Sequence, residues 1–205
     1  MGLRMKIAVF GAGSVGARLA ALFTEAGQEV LICTRHGGAD AHTFVAGASA
    51  ADVIVLALPY TALAGVLPPL LPILVGKPVV DCSNPLNADW SPMLLGQENS
   101  AAEELARLLP GAAVIKAFNT IFADVMPRAR HDRDGQLITA FIAGDVAAAK
   151  QEVMRLAGLA GFAPVDAGPL RMARYLEAMA HLNIQIAMGR GGGTSAAFLY
   201  HQVKA

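Results

Sequence analysis

An apolar segment near the start of the chain runs directly into three glycines at fixed spacing. Residues 5–10 read Met-Lys-Ile-Ala-Val-Phe, and Gly11, Gly13 and Gly16 follow in a G-x-G-x-x-G pattern. The first glycine permits a tight strand-to-helix turn, the second lets the backbone approach a pyrophosphate, and the third allows close packing of helix and strand. The amides that open such a helix favour phosphate oxygens. The motif therefore predicts a dinucleotide site.

The residues after the motif complete a βαβ unit. A helical apolar stripe runs from Ser14 to Ala26 and stops at Gly27, and residues 29–33 form an apolar second strand. Because the chain has 21 glycines, this context supports the interpretation more than the spacing does. A different phosphate site and a purely structural turn are the alternatives. The segment 12–16 also imitates the nucleophile elbow of a hydrolase, but it follows the first strand and fits the dinucleotide pattern better.

Composition limits the possible partners and compartments. Sixteen basic residues balance sixteen acidic ones, so no net field recruits nucleic acid or an anionic membrane. The hydrophobic content of 55% predicts a surface covered by a second subunit, in a homodimer. Cys33 and Cys82 lack metal-like spacing, which favours a cytoplasmic, reducing compartment. The uncharged stretch 53–76 is long enough to cross a bilayer, but its prolines instead predict a buried strand and a broken helix.

Short apolar runs alternate with helical stretches, which predicts a parallel sheet covered by helices. The predicted strands are 6–10, 29–33, 53–58, 78–82, 112–117, 137–143 and 163–166. We therefore expect an α/β fold of Rossmann type, with a doubly wound, mostly parallel sheet. Residues 36–50 are too few for a full strand and crossover helix, so a strand–helix pair is expected to be missing there. The expected division is a dinucleotide-binding domain over 1–167 and a small helical part over 168–205, packed on that domain or on a second subunit.

Two helical segments follow from local patterns in the second half of the chain. Ser100 and Glu103 form a capping box, which gives Glu103 a structural role. Residues 170–188 show the apolar stripe of one long helix, and the glycine-rich segment 189–193 after it is interpreted as a hinge. Thr194 or Ser195 is expected to cap a final short helix.

The end of the second strand indicates which dinucleotide binds. Sites selective for NAD carry an acidic side chain there for the ribose 2′-hydroxyl. This chain instead has Thr34, Arg35 and His36, and a guanidinium suits bidentate binding of a 2′-phosphate. The cofactor predicted from these residues is NADP(H).

Three later strand ends are expected to line the nicotinamide crevice, because open parallel sheets bind ligands at the carboxyl edges of their strands. Their segments are Leu58-Pro59-Tyr60, Ser83-Asn84-Pro85-Leu86 and residues 117–123. Asn84 and Asn119 are candidates for hydrogen bonds to the ribose or the carboxamide, with an ordinary turn or cap role as the alternative. Prolines and aromatics would give a dry wall for a planar ring.

Together these segments resemble the coenzyme F-420-dependent NADP oxidoreductase family over nearly the whole chain. The most specific part of the resemblance is Asp166-Ala167-Gly168-Pro169-Leu170 with Arg174, Leu176 and Glu177 after it. Cytoplasmic domains of STEAP-type metalloreductases look related as well. The resemblance implies an NADP-binding Rossmann domain, a small C-terminal helical part, and hydride transfer between NADPH and a deazaflavin.

The same resemblance assigns roles to individual residues. It places Ala12, Gly13, Ser14 and Val15 at the pyrophosphate and Thr34, Arg35 and His36 at the 2′-phosphate. It places Pro59 and Tyr60 beside the cofactor, Ala123 near the carboxamide, and Asn119 and Ile121 toward the deazaflavin. The chain departs from the pattern of the archaeal-type enzymes. In those enzymes the residue at the position of Asn119 looks like a His, and the residue at the position of Phe122 looks like a Pro. The acceptor, a small molecule such as coenzyme F-420 or a flavin, is therefore less closely specified than the NADP(H).

Hydride transfer between two rings requires mainly positioning and the exclusion of water. We therefore expect no catalytic acid–base residue and no metal. An NADP-binding sensor without turnover is one alternative. A small carbonyl or imine reductase is another, and it would need a proton donor. The candidates for that donor are Tyr60, Lys116, Tyr175 and His181, each of which also suits a structural role.

Overall fold

A computed structural model describes residues 4–96 and 98–203. Most of its strands belong to one eight-stranded sheet, and two more form a separate hairpin. The strands are β1 (Lys6–Phe10), β2 (Glu29–Thr34), β3 (His42–Thr43), β4 (Val53–Leu56), β5 (Pro78–Asp81), β6 (Ala113–Ala117), β7 (Asp132–Arg133), β8 (Gln136–Leu137), β9 (Thr139–Gly144) and β10 (Ala163–Gly168). The helices are α1 (Ser14–Glu25), α2 (Phe44–Ala50), α3 (Tyr60–Val66), α4 (Leu71–Leu74), α5 (Ala101–Leu108), α6 (Ala147–Leu159) and α7 (Ala173–Ile184).

The order of strands in the main sheet is β10-β9-β6-β5-β4-β1-β2-β3. Every neighbouring pair is parallel except β6 and β9, which are antiparallel. The order reverses at β1, so β2 and β4 lie on its two sides, and a crevice opens at that point beyond the carboxyl ends of the strands. The predicted α/β class with a mostly parallel, doubly wound sheet is confirmed.

Apolar side chains fill both faces of the sheet. Ile7 and Val9 belong to a core shared with α1 and α6, whereas Ala8 and Phe10 belong to a core shared with α2, α3 and α5. All four are fully buried. This double burial explains why the strands read as continuous apolar runs rather than as alternating patterns.

The region after β2 is shortened, but the expectation that a strand and a helix are missing there was wrong. The two-residue β3 pairs with β2, and α2 follows it with Thr43 as its N-cap, whose hydroxyl accepts from the amide of Ala46 at 3.2 Å. Gly47 explains why this connection can be so short. A Cβ at Gly47 would lie 2.2 Å from the sulfur of Cys33, so the glycine lets the helix lie close to the strand. Small residues let a short helix pack directly on the sheet, which residue counting did not anticipate.

The proline-containing segment 53–76 folds as β4, α3, a 3-10 turn at Pro68–Leu70, and α4. This confirms the prediction of a buried strand and a broken helix. Within residues 4–96 and 98–203, no helix combines the length and apolar character required to cross a bilayer.

The predicted capping box opens α5. The Ser100 hydroxyl accepts from the amide of Glu103 at 3.1 Å and donates to its carboxylate at 2.8 Å. Glu103 also forms an ion pair with Arg174 at 2.7 Å, which fits the structural role predicted for it.

The stretch 170–188 is helical as predicted, but its geometry changes along its length. A 3-10 turn at Leu170–Met172 precedes α7, and a π-helical turn at Gln185–Gly189 follows it. The predicted final helix was wrong, because residues 195–203 form no regular element. The hydroxyl of Thr194 donates to Asp124 instead of capping a helix. Beyond it the chain runs back to β9, where Phe198 accepts from the amide of Thr139 at 3.0 Å.

Candidate active site

The glycine loop between β1 and α1 is shaped by two contacts that exclude side chains. Gly11 has φ of +109°, and a Cβ there would lie 2.4 Å from the carbonyl oxygen of Ala57. A Cβ on Gly16 would lie 2.0 Å from the carbonyl oxygen of Gly11. Around Gly13, in contrast, a Cβ would meet no atom within 4 Å. The first and third glycines are therefore required by protein packing, while the second faces open space that a ligand can occupy.

The N-terminus of α1 faces the same space. Gly13 is its N-cap and has no side chain that could accept from the first-turn amides, and no acidic residue lies in that turn. The twelve-residue helix thus presents uncapped N–H groups and the positive end of its dipole. Backbone amides and open space at Gly13 fit a pyrophosphate, so the residues present fit the dinucleotide that the sequence predicts.

The end of β2 lies next to this loop, because the amide of Gly11 donates to the carbonyl of Cys33 at 2.9 Å. Thr34 donates its hydroxyl to the carbonyl of Gly37 at 3.1 Å, which holds the following turn. The side chains of Arg35 and His36 are exposed. In the part of the chain that the structure describes, Arg35 forms neither an ion pair nor a side-chain hydrogen bond, so its guanidinium is available to an anionic ligand.

A cleft of about 360 Å³ opens at the carboxyl ends of β5 and β6. One side is the start of α1, another is the pair of segments that follow the two strands, and the third is α7. The lining residues include Ser14, Val15, Cys82, Asn84, Asn119, Ile121, Phe122, Ala123, Asp124, Ala180, Asn183, Ile184 and Met188. The structure thus brings together the predicted Asn84, Asn119, Ile121 and Ala123 with the start of the glycine helix.

The third predicted strand end contributes less to this cleft. Leu58, Pro59 and Tyr60 do not line it; Leu58 packs near Gly11, where its Cδ2 would lie 3.2 Å from an added Cβ. The Tyr60 hydroxyl donates to Glu104 on α5. Burial, together with this hydrogen bond to a carboxylate, raises the pKa of the Tyr60 phenol above its ordinary value.

Asn84 and Asn119 form a reciprocal pair between the two strand-end segments. The Asn84 side-chain NH₂ donates to the Asn119 carbonyl at 2.9 Å, and that of Asn119 donates to Oδ1 of Asn84 at 2.9 Å and to the carbonyl of Leu176 on α7 at 3.0 Å. Because a backbone carbonyl can only accept, the orientation of the Asn119 amide is fixed. Its Oδ1 is buried and finds no donor among the described residues. The pair therefore joins β5, β6 and α7.

The backbone in front of Asn119 is strained. Phe118 is buried and has φ of +61°, a conformation that costs free energy in a bulky residue. The reversal of direction at Phe118 places the next side chain against Asn84 and α7 instead of continuing β6.

A cluster of buried charges lies at the base of the cleft. The Nζ of Lys116 on β6 contacts Oδ2 of Asp81 at 2.8 Å, Oε1 of Glu177 on α7 at 2.8 Å and the carbonyl of Ser83 at 2.6 Å. Glu177 also accepts from the first amides of α5, those of Ala101 at 2.9 Å and Ala102 at 3.2 Å. Burial alone would lower the pKa of Lys116, but the two carboxylates outweigh it and raise that pKa.

The cluster argues against Lys116 as a proton donor. The other three candidates lie outside the cleft, as Lys116 does. All three N–H groups of Lys116 are occupied by acceptors, so it has none left for a substrate. Tyr175 is 65% exposed, and Tyr60 is bound to Glu104. His181 faces a separate groove with Arg174 and Glu177, and burial lowers its pKa. None of the four candidates lines the cleft.

Comparisons with known proteins agree with this geometry. The family model described as “NADP oxidoreductase coenzyme F420-dependent” matches residues 6–85. A protein of Arthrobacter sp. FB24, described as a proposed F420-dependent NADP-reductase, is similar in structure with a TM-score of 0.85 and 28% identity, over 97% of this chain and 100% of that one. The chain belongs to this family of NADP oxidoreductases.

Two further proteins show how far the similarity of this chain extends. A hypothetical protein of Sinorhizobium meliloti is 31% identical with a TM-score of 0.69, over 83% of this chain and 88% of that one. Metalloreductase STEAP3 of Rattus norvegicus is 32% identical over 186 residues, which is 85% of this chain and 36% of that protein. The chain therefore spans about a third of the length of this curated relative.

The contribution of α7 to the cleft was missed from the sequence. The helical part over 168–205 was expected to pack on the domain or on a second subunit, yet Ala180, Asn183 and Ile184 of α7 line the cleft. The one available signal was Asn183, a polar residue inside the apolar face. Trp90 and Thr194 also line the cleft, and no pattern in the sequence pointed to them.

Proposed function

We propose that this chain transfers hydride between NADP(H) and a planar redox acceptor such as the deazaflavin coenzyme F-420 or a flavin. The observation that carries the proposal is the cleft, in which the start of α1, the Asn84–Asn119 pair and the apolar wall of α7 meet. Bound NADPH supplies the hydride. The protein supplies the binding site, the orientation of the two rings and the exclusion of water.

The NADP end of the proposal rests on two features. The uncapped amides of α1 and the open space at Gly13 suit the pyrophosphate, and the free guanidinium of Arg35 suits the 2′-phosphate. A guanidinium binds a phosphate oxygen pair through two parallel hydrogen bonds, which a ribose 2′-hydroxyl cannot reproduce. We therefore assign NADP(H), not NAD(H), as the preferred cofactor.

The nicotinamide end depends on position more than on acid–base chemistry. Two carbons must approach to about 3–3.5 Å for hydride to pass between them. The Asn84–Asn119 pair fixes two walls of the cleft relative to each other, and Ile121 and Ile184 supply apolar surface beside it.

The lining of the cleft favours a ring-to-ring hydride transfer over a carbonyl or imine reduction. Such a reduction needs a proton donor within hydrogen-bond reach of the substrate. Among the described lining residues the titratable side chains are Asp124, already bonded to Thr194, and Cys82. Burial raises the pKa of the Cys82 thiol, so this thiol is not tuned for proton transfer near neutral pH.

The cofactor assignment is tested by Arg35→Ala with Arg18→Ala as the matched control. Arg18 is also exposed but lies on the body of α1. Loss of hydrogen bonds to a charged group should raise the Kd of NADPH roughly 10- to 100-fold, with little change for NADH. Isothermal titration measures both. Equal losses for the two cofactors would contradict the assignment to NADP(H).

The reaction is tested by an acceptor panel with NADPH oxidation as the readout. The panel contains a deazaflavin, free flavins, ferric chelates and small carbonyl compounds. The ferric chelates are included because a relative is named a metalloreductase. We expect the fastest oxidation with a deazaflavin or a flavin. Tight NADPH binding without turnover on any acceptor would instead support an NADP-binding sensor.

A further inference from the structure

The wall that α7 contributes to the cleft contains one polar side chain, that of Asn183. This residue is only 8% exposed, and its neighbours along the wall are Ala180, Ile184 and Met188. Within residues 4–96 and 98–203, its side-chain amide forms no hydrogen bond. Because the residue lines the cleft and its amide has no partner among the described residues, both its NH₂ and its Oδ1 are free to pair with a ligand there.

The polar groups that attach α7 to the neighbouring strand ends are hydrogen-bonded within the protein. On the same helix, Glu177 receives three donors, from Lys116, Ala101 and Ala102. The NH₂ group of Asn119 is likewise used twice. These groups, which attach α7 to the sheet, are thus engaged with the protein, and the unpaired Oδ1 of Asn119 is enclosed, whereas Asn183 lines the cleft.

We propose that Asn183 recognises the hydride acceptor through a cyclic amide or imide edge, and so determines acceptor specificity. This inference rests on the proposed function, because it requires the acceptor ring to lie against α7. A primary amide offers one donor and one acceptor side by side. It pairs in two hydrogen bonds with a ring edge that carries an N–H next to a C=O, as asparagine does with the adenine edge.

The charges around the cleft support a neutral heterocycle as the partner. Of the described residues that line it, Asp124 is the one with a charged side chain, and Lys or Arg does not occur among them. An anionic metal chelate finds no cation there, and a simple imine offers no second polar atom to a side-chain amide. A flat ring with apolar faces and an imide edge matches both the apolar wall and Asn183.

The test measures binding of lumiflavin, and of lumiflavin methylated on its imide nitrogen, to the complex of the protein with NADP⁺. No turnover occurs in this complex, so quenching of ligand fluorescence reports affinity alone. The variants are Asn183→Leu, which keeps a similar volume, and Asn183→Ser, which removes the amide by truncation. Gln151→Leu is the matched control, because it removes an exposed amide from α6, outside the cleft.

The wild-type protein and Gln151→Leu should bind lumiflavin about tenfold more tightly than its methylated form, as expected when a buried partner loses its hydrogen bond. Both Asn183 variants should bind the two forms equally and weakly, with unchanged affinity for NADP⁺. Equal binding of the two forms by the wild-type protein, or a preference that survives in Asn183→Leu, would overturn the inference. Absence of lumiflavin binding to the wild-type complex would also overturn it. Failure of the proposed function is a separate result, namely binding of this kind without NADPH oxidation on any acceptor.

Discussion

Replacing Lys116 with methionine is expected to remove three hydrogen bonds at once from the base of the cleft. The side chain is fully buried, and its ammonium group lies 2.6–2.8 Å from Asp81, Glu177 and the carbonyl of Ser83. Methionine has a similar length and fills most of the same space, so a cavity contributes little. The dominant effect is that two carboxylates stay buried without their cation.

The loss in the free energy of unfolding depends on the hydrogen bonds that each carboxylate keeps in the variant. Glu177 keeps the two amides of α5, whereas Asp81 keeps the amide of Ser83 on Oδ1 and loses its cation on Oδ2. Removing one partner of a buried ion pair costs about 3–5 kcal/mol. In urea, with a slope of about 2–3 kcal/mol per molar, the unfolding midpoint should fall by roughly 1–2.5 M.

Lys6→Met is the matched control for this experiment. Lys6 pairs with Glu29 at 2.8 Å, the same separation as in the buried pair, but the two side chains are 34% and 44% exposed. An exposed pair of this kind contributes about 0–1 kcal/mol. Urea unfolding followed by circular dichroism measures both variants. A loss for Lys116→Met as small as that for Lys6→Met would refute the argument that burial makes these contacts strong.

Three further predictions concern the glycine loop, the capping box and the assembly. Gly13→Ala should leave thermal stability nearly unchanged but weaken NADPH about tenfold or more in titration, because its Cβ enters ligand space, whereas Gly16→Ala should lower stability as well. The pKa of Glu103 is lowered mainly by its hydrogen bond to Arg174. The stability that this pair contributes is therefore present above the ordinary pKa of 4.5 and is lost as the pH falls through the lowered value. The unfolding midpoint of Glu103→Gln should accordingly lie below that of the wild-type protein near neutral pH and match it in acid. The homodimer stays a prediction, for which sedimentation equilibrium at micromolar concentration should give twice the chain mass, and a monomer mass would contradict it.

Local patterns were sufficient to predict the parts of the fold that depend on local physics. The glycine loop, the strand runs and the capping box at Ser100 each follow from a few neighbouring residues. The errors occurred where tertiary contacts decide the outcome. β3 and α2 exist because Gly47 packs against Cys33, and the chain after Thr194 follows β9 because β9 offers backbone and side-chain partners there. Neither partner is visible in the neighbouring sequence.

The site divides in the same way. Asn84 and Asn119 were found because each follows a strand of a parallel sheet, and such strands end at one edge. Their reciprocal hydrogen bonds and the use of the carbonyl of Leu176 required the fold. Lys116 was noted as a proton donor, and the contact that changes its role comes from Glu177, sixty-one positions later in the chain. Partners that far apart leave no spacing pattern that sequence reasoning can use.

The helix α7 connects the buried charges with the wall of the cleft. It is tied to the strand ends by Glu177, through Lys116, and by the carbonyl of Leu176, through Asn119. Nearly two turns further along the same helix, Asn183 faces the cleft. The position of that amide therefore depends on polar contacts made below it, whereas the glycine loop is held by backbone contacts with Ala57 and depends on none of them. It follows that the α7 wall of the cleft and the glycine loop are supported by separate contacts, so a change at Lys116 or Glu177 should disturb the position of Asn183 more than that of the glycine loop.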